Sequence, residues 1–443
     1  MTPLLPAPHQ VRAWAVLLLG FLVIMLGAYS AAGSMLDQLG QHRLTVIVFV
    51  TAMTVGELFR LRMPSGRDTA PLASASAMAV VFLNEIDGEQ PFAVSTGPIV
   101  VIVAIGLLLA ALVRGIRRRD VGPDQVAARL VGVAIAAWLT RGYMPNGRSL
   151  WSLEADVQVS PWFVALCMVA VAGVAIGVEL VLSSAVRSER QRTPWTAALR
   201  GEFGEVAPLT LAVLVSGPMV ALMAPALGLL SLPVALFPLA ITYLAVARYA
   251  RNRATYRQTI ATLSHLTEHG GYTPSGHAER VADLSVRIGR VLGISDRDLR
   301  ELEYAALLHD LGQISLVEPI PDGATVLAAP SDQQDIADEG ARIIRHAEGL
   351  ETVADYVEAQ TTPFRQVREL GEEVPVASRI LKVANAFDDL TGGRGDPAEV
   401  QSANERIHLG LGYQYDPEVV EALAVATADT TVGRVEERQH ASR

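Results

Sequence analysis

Cysteine, lysine and charged residues as a whole are scarce in this chain of 443 residues. The single cysteine, Cys167, excludes an intrachain disulfide, so nothing in the chain indicates an oxidising compartment. Lys382 is the only lysine, and arginine carries the remaining basic charge. Charged residues make up 19% of the chain and hydrophobic residues 51%, which is too apolar for an ordinary soluble protein. This composition is typical of a membrane protein with a soluble part.

A net positive charge, strand patterns and internal repeats are missing as well. The formal net charge of -10 argues against a nucleic-acid-binding surface, because phosphate backbones need clustered cations. No convincing run of alternating apolar and polar residues indicates a β-sheet, whereas helical periodicity is frequent. We therefore predict an all-α protein.

Apolar runs of membrane-spanning length fill the first half of the chain. We predict about eight spans, of which the third and fifth are short, at residues 11–29, 44–59, 71–83, 97–113, 125–138, 162–182, 206–227 and 229–246. Arginines follow every even-numbered span, and the loops between them are acidic or mild. Because basic residues near short loops tend to stay in the cytoplasm, we expect a multi-pass protein of the cell membrane, with its N-terminus and its C-terminal domain in the cytoplasm.

Ionisable residues inside the predicted spans are few. Glu57 and Glu179 each lie close to a cytoplasmic end, where an acidic side chain is expected to reach the membrane interface. Charges inside a membrane would indicate an ion or substrate path, so their scarcity disfavours a transporter. A sensory or anchoring role fits this half of the chain better.

The composition divides the chain into four predicted parts. Residues 1–247 form the transmembrane domain, and residues 248–265 form a helical linker that is a candidate for pairing with its copy in a homodimer. Residues 266–427 form a helical bundle large enough to bury its own core. Residues 428–443 are a polar tail. Within the bundle we predict helices at residues 332–346, 351–360 and 376–390.

The adjacent pair His309-Asp310, at the end of an apolar helix pattern, is the most informative feature of the second half. A buried imidazole and a buried carboxylate need partners that offset their desolvation. His277 opens a second helical pattern and lies on the same face as its apolar residues. Ser295 with Asp298 resembles a capping box at the start of the helix that carries His309. Both histidines are therefore expected to point toward one core.

A metal ion would be a suitable partner for these three side chains. Neutral imidazole and carboxylate suit Zn, Mn or Fe, and an ion there would activate a water or hold a phosphate oxygen. The alternative is two core histidines bonded to the backbone, and we favour the metal. His265 and His269 are also spaced as metal ligands, but solvent-facing positions explain them better because no carboxylate or cysteine ligand accompanies them.

Four segments in order resemble the HD superfamily of metal-dependent phosphohydrolases: His277, His309-Asp310, residues 376–391 and Tyr415-Asp416-Pro417. Their order and the last two segments are most similar to the HD-GYP branch, which hydrolyses the messenger cyclic di-GMP. The resemblance covers residues 260–425 and implies an all-helical cytoplasmic HD domain. It also implies one divalent ion (Mn, Fe, Zn or Mg) held by His277, His309, Asp310 and Asn385, with Asp310 as the catalytic residue.

The chain departs from the HD-GYP pattern at several positions, so the resemblance is to a degenerate, HD-GYP-like domain. Asn385 replaces an aspartate ligand and removes one negative charge from the site. Gln313 replaces a lysine that would meet phosphate. The histidine expected four residues before Gly340 is Ile336, and paired histidines with glutamate appear as Glu358-Ala359-Gln360. The lost ligands serve a second metal, so at most one tightly bound ion is expected.

Two functions remain open from the sequence. The first is a membrane-anchored HD phosphohydrolase that acts on a cytoplasmic phosphate ester or nucleotide. The second is an inactive HD-GYP-like pseudoenzyme that binds a nucleotide or a partner protein and relays a signal across the membrane. The departures favour either of these over hydrolysis of cyclic di-GMP.

Overall fold

A computed structural model describes residues 10–33, 35–63, 68–87, 90–142, 149–150, 152, 159–191, 195–317, 319–320, 323–393 and 396–427. Helices dominate it, so the predicted all-α class is confirmed. The chain divides into two compact units, Met1–Arg251 and Asn252–Arg443. The four predicted parts of the chain stay predictions, and the predicted polar tail lies outside the described residues.

Long helices build the first unit, and α9 continues into the second. They are α1 (Val11–Ala31), α2 (Met35–Gln41), α3 (Arg43–Leu58), α4 (Pro71–Phe82), α5 (Thr96–Ile116), α6 (Pro123–Arg141), α7 (Pro161–Gln191), α8 (Trp195–Leu227) and α9 (Ser231–His269). Two short antiparallel strand pairs flank α4: β1 (Leu61–Arg62) with β2 (Asp68–Thr69), and β3 (Glu85–Ile86) with β4 (Gln90–Pro91). Most of α4 is buried, so this helix lies at the centre of the unit.

Four helical stretches of the described residues are long and apolar enough to cross a membrane. They are Val11–Ala31, Thr96–Ile116, Pro161–Arg190 and Leu209–His269. The helix Pro71–Phe82 is apolar but shorter. Helices occupy all eight predicted spans, but the eight-span count and the orientation stay predictions.

Buried ion pairs join three helices of this unit. Glu57 of α3 is fully buried, and its carboxylate accepts hydrogen bonds from Arg60 Nε at 2.6 Å and from Arg129 Nη1 at 2.5 Å. Arg129 Nε also lies 3.6 Å from Glu179 Oε1 of α7. Glu57 is therefore held by arginines inside the unit, and its expected place near the membrane interface stays a prediction. The two arginines offset the desolvation of the Glu57 carboxylate. Because one of them, Arg129, lies inside the predicted fifth span, that span is less apolar than expected.

Shorter helices build the second unit together with the end of α9. They are α10 (His277–Leu292), α11 (Asp296–Leu308), α12 (Pro330–Ile344), α13 (Glu351–Glu358), α14 (Phe364–Leu370), α15 (Val376–Thr391), α16 (Pro397–Leu409) and α17 at residues 417–427. Ile288, Leu302, Val353 and Ile380 lie in one apolar core formed by α10, α11, α13 and α15.

Local signals explain where these helices begin and end. Ser295 Oγ accepts a hydrogen bond from Asp298 N at 3.2 Å, so the predicted cap of α11 is confirmed. The predicted helices at 332–346, 351–360 and 376–390 correspond to α12, to α13 with the 3₁₀ turn Ala359–Thr361, and to α15. Helix α15 ends at Gly392, whose φ of +57° lies in the left-handed region that glycine adopts without strain.

Candidate metal centre

Two helix ends place the two buried histidines face to face. His277 is the first residue of α10, and Val281, Leu284 and Ile288 continue its buried face. His309 caps the C-terminal end of α11, and Asp310 follows it at the start of the 3₁₀ turn Leu311–Ser315. All three polar side chains are buried despite their polarity. The apolar packing of α10 against α11 therefore decides where these side chains meet.

Gly312 lets the turn after Asp310 pack tightly against α12. A Cβ atom at this position would collide with the carbonyl oxygen of Ile336 and would crowd the backbone of Gly340. Only glycine fits such a close approach of two backbones. The position of Asp310 therefore depends on this contact.

Four potential donor atoms converge at the centre. His277 Nε2 lies 3.3 Å from His309 Nε2, and Asp310 Oδ2 lies 3.2 Å from each of these nitrogens. Asn385 Oδ1 of α15 lies 3.2 Å from His309 Nε2. Ligands that bind one ion at about 2.1 Å lie roughly 3 Å apart. The structure thus brings together all four of the residues that the sequence nominates as ligands.

Hydrogen bonds outside the centre fix the orientation of each donor. His277 Nδ1 donates to Asp388 Oδ2 at 2.8 Å, which turns its Nε2 toward the centre. His309 Nδ1 donates to the carbonyl oxygen of Ala306 at 2.8 Å, which leaves the lone pair on its Nε2. Asn385 Nδ2 donates to Thr325 Oγ1 at 2.9 Å, so its oxygen faces inward. Such outer contacts are typical of metal-binding histidines.

The centre fits a cation because it holds a buried carboxylate between two imidazoles. Asp310 Oδ2 lies 3.2 Å from both His277 Nε2 and His309 Nε2 without a hydrogen bond of good geometry to either ring, an arrangement that a positive charge among the three atoms would stabilise. Burial alone would lower the pKa of His277, but the carboxylates of Asp310 and Asp388 raise it to about 10. Burial would raise the pKa of Asp310, yet the neighbouring histidines hold it well below its usual range. Among the described residues, the grouping of His277, His309 and Asp310 is the one set of histidine, cysteine and acidic side chains close enough to hold a metal ion.

A cavity of about 580 Å³ opens onto this centre. Its described lining consists mainly of amides, hydroxyls and apolar side chains, namely His309, Asp310, Thr325, Val326, Ala328, Pro330, Gln333, Gln334, Ile336, Gln360, Thr361, Thr362, Pro363, Arg365, Gln366, Lys382, Asn385, Ala386, Gln414 and Tyr415. Asp310 is the one carboxylate in this lining, while Lys382 and Arg365 contribute positive charge. The volume is within the range of sites for small molecules.

The positions at which the HD-GYP resemblance leads one to expect second-metal ligands have other contacts here. Ile336 is buried and presents an apolar side chain to the cavity. Gln360 Nε2 donates to the carbonyl oxygen of His309 at 3.1 Å. Glu358 forms an ion pair with Arg345 on the exposed side of α13. Gln313, at the position of the family lysine, is fully buried, and neither polar atom of its amide has a hydrogen-bond partner.

Several residues around the centre escaped the sequence analysis as site residues. Arg280 holds Asp388 with two hydrogen bonds of 2.8 and 2.9 Å, and its place one helical turn after His277 is the signal that indicates it. Asp389 accepts a hydrogen bond from Val326 N at 3.1 Å, and burial raises its pKa to about 6. Lys382 lies one turn before Asn385 on α15, so helical spacing places it on the face that carries this candidate ligand.

Comparison with known proteins identifies the second unit. Residues 263–419 match the family model described as HD domain. This part of the chain is similar to HD domains. The match includes His277, the His309-Asp310 pair and Asn385, so the predicted resemblance to the HD superfamily is confirmed for this region.

Curated relatives of the HD domain are phosphodiesterases. The cyclic di-GMP phosphodiesterase of Thermotoga maritima is 29% identical over 177 residues, which are 37% of this chain and 48% of that protein. The 3'3'-cGAMP-specific phosphodiesterase 2 of Vibrio cholerae is 24% identical over 185 residues, 39% of this chain and 35% of that protein. The cyclic di-GMP phosphodiesterase response regulator RpfG of Xanthomonas campestris is 28% identical over 192 residues, 38% of this chain and 47% of that protein. The chain thus spans less than half the length of these relatives.

Proposed function

We propose that the chain is a membrane-anchored, metal-dependent phosphohydrolase whose HD domain cleaves a phosphate ester of a cytoplasmic nucleotide. This proposal rests on four donor atoms that converge through contacts of 3.2–3.3 Å: His277 Nε2, His309 Nε2, Asp310 Oδ2 and Asn385 Oδ1. The phosphodiesterases among the relatives of this region support the reaction class. The apolar helices of the first unit support the anchor.

The four converging residues would hold one divalent ion, Mn, Fe, Zn or Mg. Such an ion supplies Lewis-acid polarisation of a phosphate oxygen and a nucleophilic water at neutral pH. Asp310 faces both the centre and the cavity, so its carboxylate is placed to orient a water toward phosphorus. The hydrogen bond from His277 Nδ1 to Asp388 would keep His277 in the tautomer that leaves Nε2 free to bind such an ion.

Metal content and hydrolysis of the purified full chain test this proposal together. The substrates are bis(p-nitrophenyl) phosphate, cyclic di-GMP and 3'3'-cGAMP. We expect about one divalent ion per chain and hydrolysis of at least one substrate that a chelator abolishes. His309→Ala should lose both the ion and the activity. His346→Ala is the matched control, because exposed His346 Nδ1 also donates to a backbone carbonyl at 2.8 Å, outside the cavity.

A pseudoenzyme is the second candidate function. Two residues at the expected places of second-metal ligands favour it. Ile336 has an apolar side chain, and the amide of Gln360 donates a hydrogen bond to the backbone carbonyl of His309. In that case the cavity binds a nucleotide or a partner segment without cleaving it. Binding of cyclic dinucleotides by the wild-type chain with no metal-dependent turnover would support the pseudoenzyme and contradict the phosphohydrolase. The absence of bound metal, with no effect of His309→Ala, would exclude the metal centre itself.

A further inference from the structure

The charge on the cavity wall is unbalanced. Asp310 is the one carboxylate among the described lining residues, and it belongs to the metal centre. Lys382 and Arg365 line the same cavity with positive charge. A divalent ion at the centre would make the wall more positive still. In a chain with a net charge of -10, this concentration of positive charge requires an explanation beyond the metal.

Lys382 points its ammonium group at uncharged acceptors. Its Nζ atom donates to the carbonyl oxygens of Thr361 and Thr362 at 2.7 and 3.1 Å and to Gln414 Oε1 at 3.4 Å. No carboxylate of the described residues forms an ion pair with this group. Burial lowers the pKa of Lys382 to about 8, which is the response of a cation without a compensating charge.

Arg365 is a second cation of this kind. Its Nη1 donates to the hydroxyl of Tyr413, and its guanidinium lies 4.5 Å from the centroid of that ring. The described part of the chain supplies no carboxylate partner for Arg365 either. By contrast, Arg368 on the same helix forms an ion pair with Glu369 at 2.6 Å and is exposed. Helix α14 therefore presents an unpaired arginine to the cavity and a paired one to the solvent.

We propose that Lys382 and Arg365 form a second anion subsite in the cavity, which binds an anionic group of the ligand other than the one at the metal centre. The subsite rests on the proposed function, because it assumes that one phosphate occupies the metal centre. An unpaired cation in a partly buried wall gains most from a phosphate or carboxylate, since hydrogen bonds between charged groups are about twice as strong as neutral ones. The amide side chain of Gln366 on the same wall supplies a donor and an acceptor for the uncharged part of the ligand.

This subsite selects ligands that carry two separated anionic groups. A ligand with one phosphate uses the metal centre and leaves Lys382 with its carbonyl partners. A ligand with two phosphates also neutralises the cationic wall. Alternatively, Lys382 has only a structural role and fixes the backbone at Thr361 and Thr362 through its hydrogen bonds. A purely structural role predicts equal binding of ligands with one and with two phosphates.

Binding measurements with the metal-loaded full chain in detergent micelles test the subsite. The probes are cyclic di-GMP, which carries two phosphodiesters, and cyclic GMP, which carries one. We expect the wild type to prefer the two-phosphate probe, and we expect Lys382→Gln and Arg365→Gln each to weaken its binding by about ten- to hundredfold. Binding of cyclic GMP should change by less than about twofold, because each substitution leaves the metal centre in place. Lys382→Arg should recover most of the preference, and Arg368→Gln is the matched control that should retain all of it.

The results separate a failed subsite from a failed activity. The subsite would be overturned if Lys382→Gln lost affinity for both probes equally. It would also be overturned if a folded, metal-loaded variant kept the wild-type preference for cyclic di-GMP over cyclic GMP. Hydrolysis of bis(p-nitrophenyl) phosphate, which has one phosphate, reports on the proposed function alone. If the wild type does not hydrolyse it, the activity fails, whereas the ratio of the two affinities still decides whether the subsite exists.

Discussion

His277 Nε2 and His309 Nε2 lie 3.3 Å apart, although 32 positions separate the two residues in the chain. Two ring nitrogens that each present a lone pair repel one another at this distance, so a proton or a cation must lie between them or beside them. The Asp310 carboxylate, 3.2 Å from both, adds a negative charge that attracts the same cation. The packing of α10 against α11 thus holds three donors in an arrangement that a metal ion stabilises.

The outer carboxylate of Asp388 should strengthen metal binding without contacting the ion. Asp388→Asn removes the charge that orients His277 and pairs with Arg280. We expect the affinity for a divalent ion to fall by about ten- to hundredfold, as measured by competition with a chelator. Asp283→Asn is the control, because Asp283 is an exposed residue of the same helix as His277 and should leave the affinity unchanged. Equal affinities in the wild type and Asp388→Asn would contradict this role.

Much of this centre is visible in the sequence because it depends on local patterns. Helical periodicity places His277 on the buried face of its helix, and the adjacency of His309 and Asp310 identifies the second helix end. The contact of Gly312 with the backbone of Ile336 has no local signal, since it depends on how two distant segments pack. The same holds for the pairing of Lys382 with the carbonyls of Thr361 and Thr362.

The apolar first half of the chain shows the opposite limit of what local patterns predict. Apolar runs correctly predict helices there, because a long apolar segment has few other ways to satisfy its backbone. The burial of Glu57 against arginines was not predicted, since its position near the end of a predicted span indicated only that its side chain could reach the membrane interface. Its arginine partner, Arg129, comes from α6, 72 positions away. Such long-range ion pairs cannot be read from the hydropathy of a single segment.

Asn385 should limit the affinity of the centre for metal. Asn385→Asp keeps an oxygen at the position that lies 3.2 Å from His309 Nε2 and adds one negative charge. We expect the affinity for a divalent ion to rise by about tenfold or more, because charged ligands bind hard cations more strongly than amides do. Chelator competition measures the change. Asn404→Asp is the control, because it adds the same charge outside the cavity lining and should leave the affinity nearly unchanged. A lower affinity of Asn385→Asp for the ion would count against Asn385 as a ligand.

Metal binding should compete with a proton on His277. In the metal-free protein the pKa of this histidine is raised from 6.5 to about 10, so the ring is protonated at neutral pH. An ion must displace that proton, and its apparent affinity should therefore rise by about tenfold per pH unit through the range below 10. Measurements at pH 6.5, 7.5 and 8.5 with one ion and one chelator suffice. An affinity that stays constant across this range would show that His277 is not the residue that exchanges a proton for the ion.

The same shift makes the metal-free domain sensitive to high pH. Because the pKa of His277 is higher in the folded state than in the unfolded state, its protonation stabilises the fold fully below pH 6.5, and this contribution is lost as the pH rises through about 10. Bound metal removes the dependence, since the ion replaces the proton. The apparent melting temperature should therefore fall between pH 7 and 10 in chelator-treated protein and much less in metal-loaded protein. If the melting temperatures of the chelator-treated and the metal-loaded protein depended on pH to the same extent, this linkage would be refuted.

Gly312 should be required for both stability and metal binding. Gly312→Ala forces the turn after Asp310 away from α12, because the new Cβ atom meets the carbonyl oxygen of Ile336. We expect a destabilisation of about 1–3 kcal/mol, seen as a lower apparent melting temperature, together with weaker metal binding as Asp310 shifts. Gly177→Ala is the control, since a Cβ atom there meets no other atom within 4 Å and alanine is the better helix former. If Gly312→Ala melts like the wild type and keeps its metal, the close contact of the turn with α12 does not position the carboxylate.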